Sequence, residues 1–228
     1  MTPTAPKLSP QDRASMARAI EQDFAAAAEA REAGRAANLG ERKAARKEHR
    51  ERLRLIHAHA LEEPSTRDAA EFFLSDIYPE EAPAWRDSQA LKALPSLAKF
   101  LPEDALKALS SAALLDNLTE QADAAMAQAG ADASYEEAYV LASQGLRQRQ
   151  IEALEQAGRS LAAMASSPFA RPALIAMRLP ARLGGLGDLQ SFLERGLAAF
   201  EKLRDPASFV QGLANAELAE MRRIFQEK

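Results

Sequence analysis

"LQSFLERGLAAF", residues 189–200, carries Leu189, Phe192, Leu193, Leu197 and Phe200 on a single stripe of 3.6-residue period. That period is the apolar face of an α-helix, and no other stretch of the chain states it so cleanly. The neighbouring segments repeat it. Downstream, Asp205-Pro206 opens a last helix with Phe209, Leu213, Met221, Ile224 and Phe225 on its apolar side. Upstream, "GGLG" at 184–187 reads as a tight helix–helix joint with Asp188 as the cap, and Gly196 on the stripe itself suggests close helix approach. A short apolar helix, "ALIAMRL", lies before the joint, bounded by Pro168, Pro172 and Pro180.

The same reading extends to the N-terminus. Ser134-x-x-Glu137 is a capping box opening a long helix to about residue 166. The seam of that helix runs Tyr135, Tyr139, Ala142, Leu146, Leu154 and Leu161 and is interrupted by Arg149 and Gln150. Residues 103–128 form a helix through Leu106, Leu109, Ala113 and Leu114, and residues 66–78 a short one ending before Pro79. Pro83, Pro95 and Pro102 divide the intervening stretch into brief pieces. Residues 41–62 make a helix stopped by Pro64, and Ser9-Pro10 with Asp12 starts a first helix carrying Met16, Ile20 and Phe24. Beyond Phe24 that helix is almost pure Ala, Glu and Arg, and Gly34 and Gly40 are expected to bend or break it. No strand and no repeat of fixed period appears. The fold expected is all-α, a multi-helix bundle at residues 65–228 preceded by a long N-terminal helical arm at 1–64.

Composition agrees and removes several chemistries. Alanine is about a fifth of the 228 residues, and hydrophobic residues make up 47%. The chain has no cysteine, which excludes disulfides, thiolate metal sites and cysteine nucleophiles. A net charge of −4 offers no global attraction to nucleic acid or anionic membrane. The start, "MTPTAPKLSP", lacks a secretory pattern, and no apolar run reaches the length of a membrane span. A cytoplasmic setting is expected.

Four features invite chemistry. His49, His57 and His59 share one helix, which cannot enclose an ion alone, and no Glu-x-x-His accompanies them, so no metal and no cofactor is expected. "ERKAARKEHRERLR", residues 41–54, carries a local net charge of +4; without interleaved aromatics it suits an acidic protein partner better than nucleic acid. No Gly-x-Ser-x-Gly elbow occurs, which argues against a serine hydrolase. The sharpest polar feature is Asp76 in "FFLSDIYPEE", four beyond Phe72 and three beyond Phe73, near the face those rings bury. A buried carboxylate needs donors. The interrupted seam offers them, so Asp76 is expected to be at least partly buried and to pair with Arg147, Arg149 or Gln150, with Tyr78 and Tyr139 beside it.

The segments "AAEFFLSDIYP" and "LQSFLERG" resemble an uncharacterised proteobacterial family of all-helical proteins with a Phe-Phe-x-x-Asp-x-Tyr element. Glycine usually follows that element in the family, and Pro79 stands there in this chain. The resemblance implies no activity and carries over no catalytic residue.

The leading functional expectation is a non-enzymatic interaction or scaffold protein, self-associating through an arm whose Ala-rich face gains most by packing on another copy. The alternative is a small-molecule-binding protein or metal-free enzyme with a polar pocket inside the bundle. Asp76, Tyr78, Tyr139, Arg147, Arg149 and Gln150 are its candidate ligand-binding residues, and a polar cluster enclosed among the helices at 66–78, 134–166 and 188–203 would favour it.

Overall fold

The structure is a computed structural model and describes residues 8–37, 39–80, 85–100, 103–130 and 132–226. The helical periods of the sequence produce eleven α-helices and no strand among the described residues: α1 (Pro10–Ala37), α2 (Leu39–Ile56), α3 (Ala58–Glu62), α4 (Arg67–Phe72), α5 (Trp85–Phe100), α6 (Glu103–Met126), α7 (Tyr135–Leu141), α8 (Gln144–Ala165), α9 (Ala170–Leu183), α10 (Gly187–Glu201) and α11 (Pro206–Gln226). The protein is an all-α multi-helix bundle. No helix among the described residues is long and apolar enough to cross a membrane.

α6 and α8 lie side by side at the centre, with α11 on the other flank of α8 and α10 against α8, α4 and α9. The first helix packs along α6 and α5. Its Ile20 and Phe24 are buried with Ala90, Leu94, Leu106 and Ala113. The Met16, Ile20 and Phe24 stripe of this helix is therefore packed within the chain.

Several boundaries differ from the sequence reading, each for a local reason. The helix read at 41–62 breaks at His57, whose ring turns inward to Glu217. The one read at 134–166 opens at the expected Ser134–Glu137 capping box but stops at Leu141. Ser143 there takes the left-handed region, φ 55°, and its hydroxyl accepts from Leu146 N to start α8. α5 continues through Pro95, and α9 through Pro180. A helix tolerates an interior proline when its neighbours hold it in place, at the loss of one backbone bond. α10 is capped by Leu186 rather than Asp188, which sits in the first turn.

The most consequential difference lies at "FFLSDIYP". The regular helix ends at Phe72, and Phe73–Ile77 form one turn of π-helix closed by Tyr78 N donating to Phe73 O over 3.0 Å. The extra residue in that turn re-aims every side chain after it. Phe72 lies on α10, 5.4 Å from the Phe192 ring, and a Cβ on Gly196 would come within 2.6 Å of its Cζ. Only glycine lets the two helices meet there. Phe73 meets His57 edge-on. The two segments that carry the family resemblance thus pack directly on each other.

Candidate functional site

The interior of the bundle holds two sets of charged groups. The first joins α6 to the N-terminal helices. Asp116, Glu120 and Asp123 stand at positions i, i+4 and i+7 of α6, one face of the helix. Arg31 of α1 forks onto Asp116 at 2.9 and 3.2 Å and onto Glu120 at 2.9 Å. Arg42 of α2 donates to Glu120 and to Ala30 O. Arg46, one turn on, donates to Glu120 at 3.0 Å and to Pro79 O at 2.9 Å, and lies 3.2 Å from Asp123. Glu120 is 0% exposed and receives three guanidinium groups. Three carboxylates face three arginines, so this set is balanced in charge.

Tyr78 connects the balanced set to the second. Its hydroxyl donates to Asp123 Oδ1 at 2.6 Å, and the Arg46 guanidinium lies 4.9 Å from its ring centre. Burial, and then the Asp123 charge, push the Tyr78 phenol well above its ordinary range. Burial also raises the Asp123 carboxyl, against the pull of Arg46. His49, beside Tyr78, bonds the Tyr135 hydroxyl through Nδ1 at 2.8 Å. Desolvation first, then the charges of Arg147 and Arg46, hold its ring well below the usual histidine value, so it is neutral at pH 7.

The second set surrounds a cavity of about 40 Å³ between α2, the π-turn, α6, α7, α8 and α11. His49, Tyr78, Thr119, Tyr139, Arg147 and Gln150 supply its polar wall, and Leu53, Phe73, Leu115 and Ile151 its apolar one. Arg147 is 1% exposed. It donates through Nη1 to Gln150 Oε1 at 2.9 Å and through Nη2 to the Met126 sulfur at 2.8 Å, and stands 4.0 Å over the Tyr139 ring. Gln150 passes a bond on to Thr119 Oγ1 at 3.0 Å. Among the described residues no carboxylate pairs with Arg147, and its buried Nε has no acceptor. Burial, opposed by Arg147, pushes the Tyr139 phenol up to about 12. Glu217 of α11 completes the wall and accepts from His57 Nε2 at 2.6 Å.

Of the six candidates read from the sequence, Tyr78, Tyr139, Arg147 and Gln150 meet at this cavity. Asp76 and Arg149 do not line it. Asp76 is half-buried, and its carboxylate accepts from Arg195 of α10, at 2.9 Å from Nε and 2.5 Å from Nη2, in place of the residues expected at 147–150. The π-turn is the cause: it turns residue 76 toward α10 and residue 78 toward Asp123. Arg149 points to solvent.

The sequence reading missed Asp116, Glu120, Asp123, Thr119, Glu217 and the inward faces of Arg42 and Arg46. A signal existed, since Arg42, Arg46 and His49 repeat the i, i+4, i+7 spacing of the three α6 acids. The basic stretch finds its acids within the chain: besides α6, Arg50 faces Glu80, Arg52 faces Glu136 and Arg54 faces Glu71.

Residues 28–228 match a family described as a domain of unknown function, DUF8198, and the chain belongs to that family. No curated protein matches it. No solved structure matches it either.

Proposed function

For this member of the DUF8198 family we propose small-molecule binding inside the bundle, with an anionic group of the ligand, a carboxylate in the first instance, seated on Arg147. The observation that carries this is a guanidinium 1% exposed, on the wall of a cavity, that no carboxylate touches among the described residues. A buried charge that no counter-charge touches is costly, and the chain's other buried arginines, Arg31, Arg42 and Arg46, each touch a carboxylate. An anion in the cavity supplies what Arg147 lacks. Thr119, Gln150 and Tyr139 orient it, and the apolar wall takes a short stem. The volume sets the scale: it admits a head group, not a drug-sized molecule.

The test is thermal unfolding and calorimetric titration of the full chain with acetate, propionate and inorganic phosphate, beside Arg147→Met. Ligand at a hundred times its Kd stabilises the wild type by about 2.7 kcal/mol. Arg147→Met loses that response while its own melting temperature stays level or rises, because an uncompensated charge has gone. A wild type indifferent to all three anions, or a variant that responds equally, removes the proposal.

A specific observation also favours self-association, through α9 rather than the N-terminal helices. Phe169, Ile175, Leu179 and Leu183 lie along one side of this helix, at 78, 50, 65 and 80% exposure. A row of this kind fits an interface better than a solvated helix. Mass in solution decides: a wild-type dimer that Leu179→Glu converts to monomer supports the reading, and a wild-type monomer ends it.

A further inference from the structure

The cavity holds a second charged group that the proposed anion leaves out of account. Glu217 lines it, is 7% exposed, and among the described residues has one polar partner, the His57 ring. Arg147 and Glu217 therefore share one small cavity, yet do not pair with each other among the described residues. A cation and an anion held apart in a low-dielectric site attract a ligand whose charges run the other way. A simple anion drawn to Arg147 also meets the Glu217 carboxylate, and the repulsion is poorly screened inside the protein. A cation drawn to Glu217 meets Arg147 in the same way. A ligand carrying both charges satisfies both groups.

Resting on the reading of the cavity as an anion-binding site, we infer that its ligand is a small zwitterion, the head of an α-amino acid, with the carboxylate on Arg147 and the ammonium on Glu217. The neutral His49 adds no competing positive charge. Three lining residues, Ile77, Gln150 and Leu154, are only half-buried and mark where the cavity approaches solvent, so a side chain leaves on that side. The small volume restricts the enclosed part to the head group and a carbon or two. His57 orients the Glu217 carboxylate from behind without entering the cavity, a positioning role.

The experiment compares matched ligands on the full chain by calorimetric titration: glycine and alanine, their amine-free counterparts acetate and propionate, and methylamine. Glycine or alanine is expected to bind at least tenfold tighter than acetate or propionate, and methylamine not detectably. Glu217→Gln, which keeps an oxygen for His57, should bring the amino acids down to the level of the plain acids, while Arg147→Met loses both series. Plain acids binding as tightly as the amino acids overturn this inference and leave the anion site standing. Binding by neither series overturns this inference, and indifference to phosphate as well overturns the anion site. Tight binding of methylamine alone also overturns both, because it makes Glu217 the sole anchor. The ligand comparison on the wild type decides even if Glu217→Gln fails to fold.

Discussion

Arg31, Arg42 and Arg46 are buried much as Arg147 is, but the first three each touch a carboxylate of α6 and the fourth touches none among the described residues. The two regions are separated by little more than Tyr78 and His49. In the balanced region every charge touches a counter-charge, and even Asp123 Oδ2, which has no hydrogen bond, lies 3.2 Å from the Arg46 guanidinium. In the cavity a cation and a carboxylate are kept apart, and the unused capacity is what a ligand can exploit. Buried charge alone does not point to a site; the proposed one rests on a buried charge that no carboxylate touches, beside a void.

The contrast breaks most easily at Glu120. Glu120→Gln leaves three guanidinium groups around a neutral amide and should cost about 3–5 kcal/mol in urea unfolding, the range for breaking a buried pair. Arg147→Met should not follow it. Equal losses at the two positions would mean that Arg147 is structural and the contrast is false.

Tyr78→Phe sharpens the comparison at the junction. It removes the donor to Asp123 Oδ1 and strands a buried acceptor, which should cost ~1–3 kcal/mol. A cost near zero in the same unfolding assay would show that Asp123 is satisfied without the phenol.

His49 reports on both regions, since Arg147 and Arg46 each disfavour its charged form. The unfolded chain titrates this ring at its ordinary value of 6.5, and the folded chain well below it. Its contribution to stability is therefore full above pH 6.5 and is lost as the pH falls through 6.5 toward the folded value. Unfolding measured at pH 8 and pH 5 should show a smaller acid loss for His49→Gln than for the wild type. An identical loss would assign the acid sensitivity to other groups.

The smallest effect belongs to Asp76. Its partner Arg195 is half exposed, so Asp76→Asn should cost ~0.2–1 kcal/mol, screened by salt. Ligand binding in the cavity should survive this change. A large loss of affinity with little loss of stability would restore Asp76 to the site.

The all-helical class was legible because alanine content and 3.6-residue periods are local properties, and Gly196 could be read as a close-approach position from its place on the α10 stripe. The site was legible in part. Tyr139 lies on the helical seam, Arg147 and Gln150 sit near where polar residues interrupt it, and Tyr78 was found through its neighbours. Asp76 was misplaced because the helix expected across 66–78 is not regular. The π-turn changes the angular position of each later residue, and nothing in "FFLSDIY" marks it. Arg42 and Arg46 were read as part of a basic stretch suited to an acidic partner for a similar reason, since a helix does not state which side its neighbours occupy.

The amino-acid sequence by itself determined the helices, most of their apolar faces and the absence of thiol chemistry, because each follows from composition and from spacings of a few residues. Tertiary structure alone decided which arginines meet acids. Arg46 and Glu120 are 74 residues apart, and their union depends on how α1 and α2 lay across α6. It also decided that Arg147 and Glu217, on α8 and α11, face one cavity without pairing, a relation between two helix axes that no short-range pattern encodes.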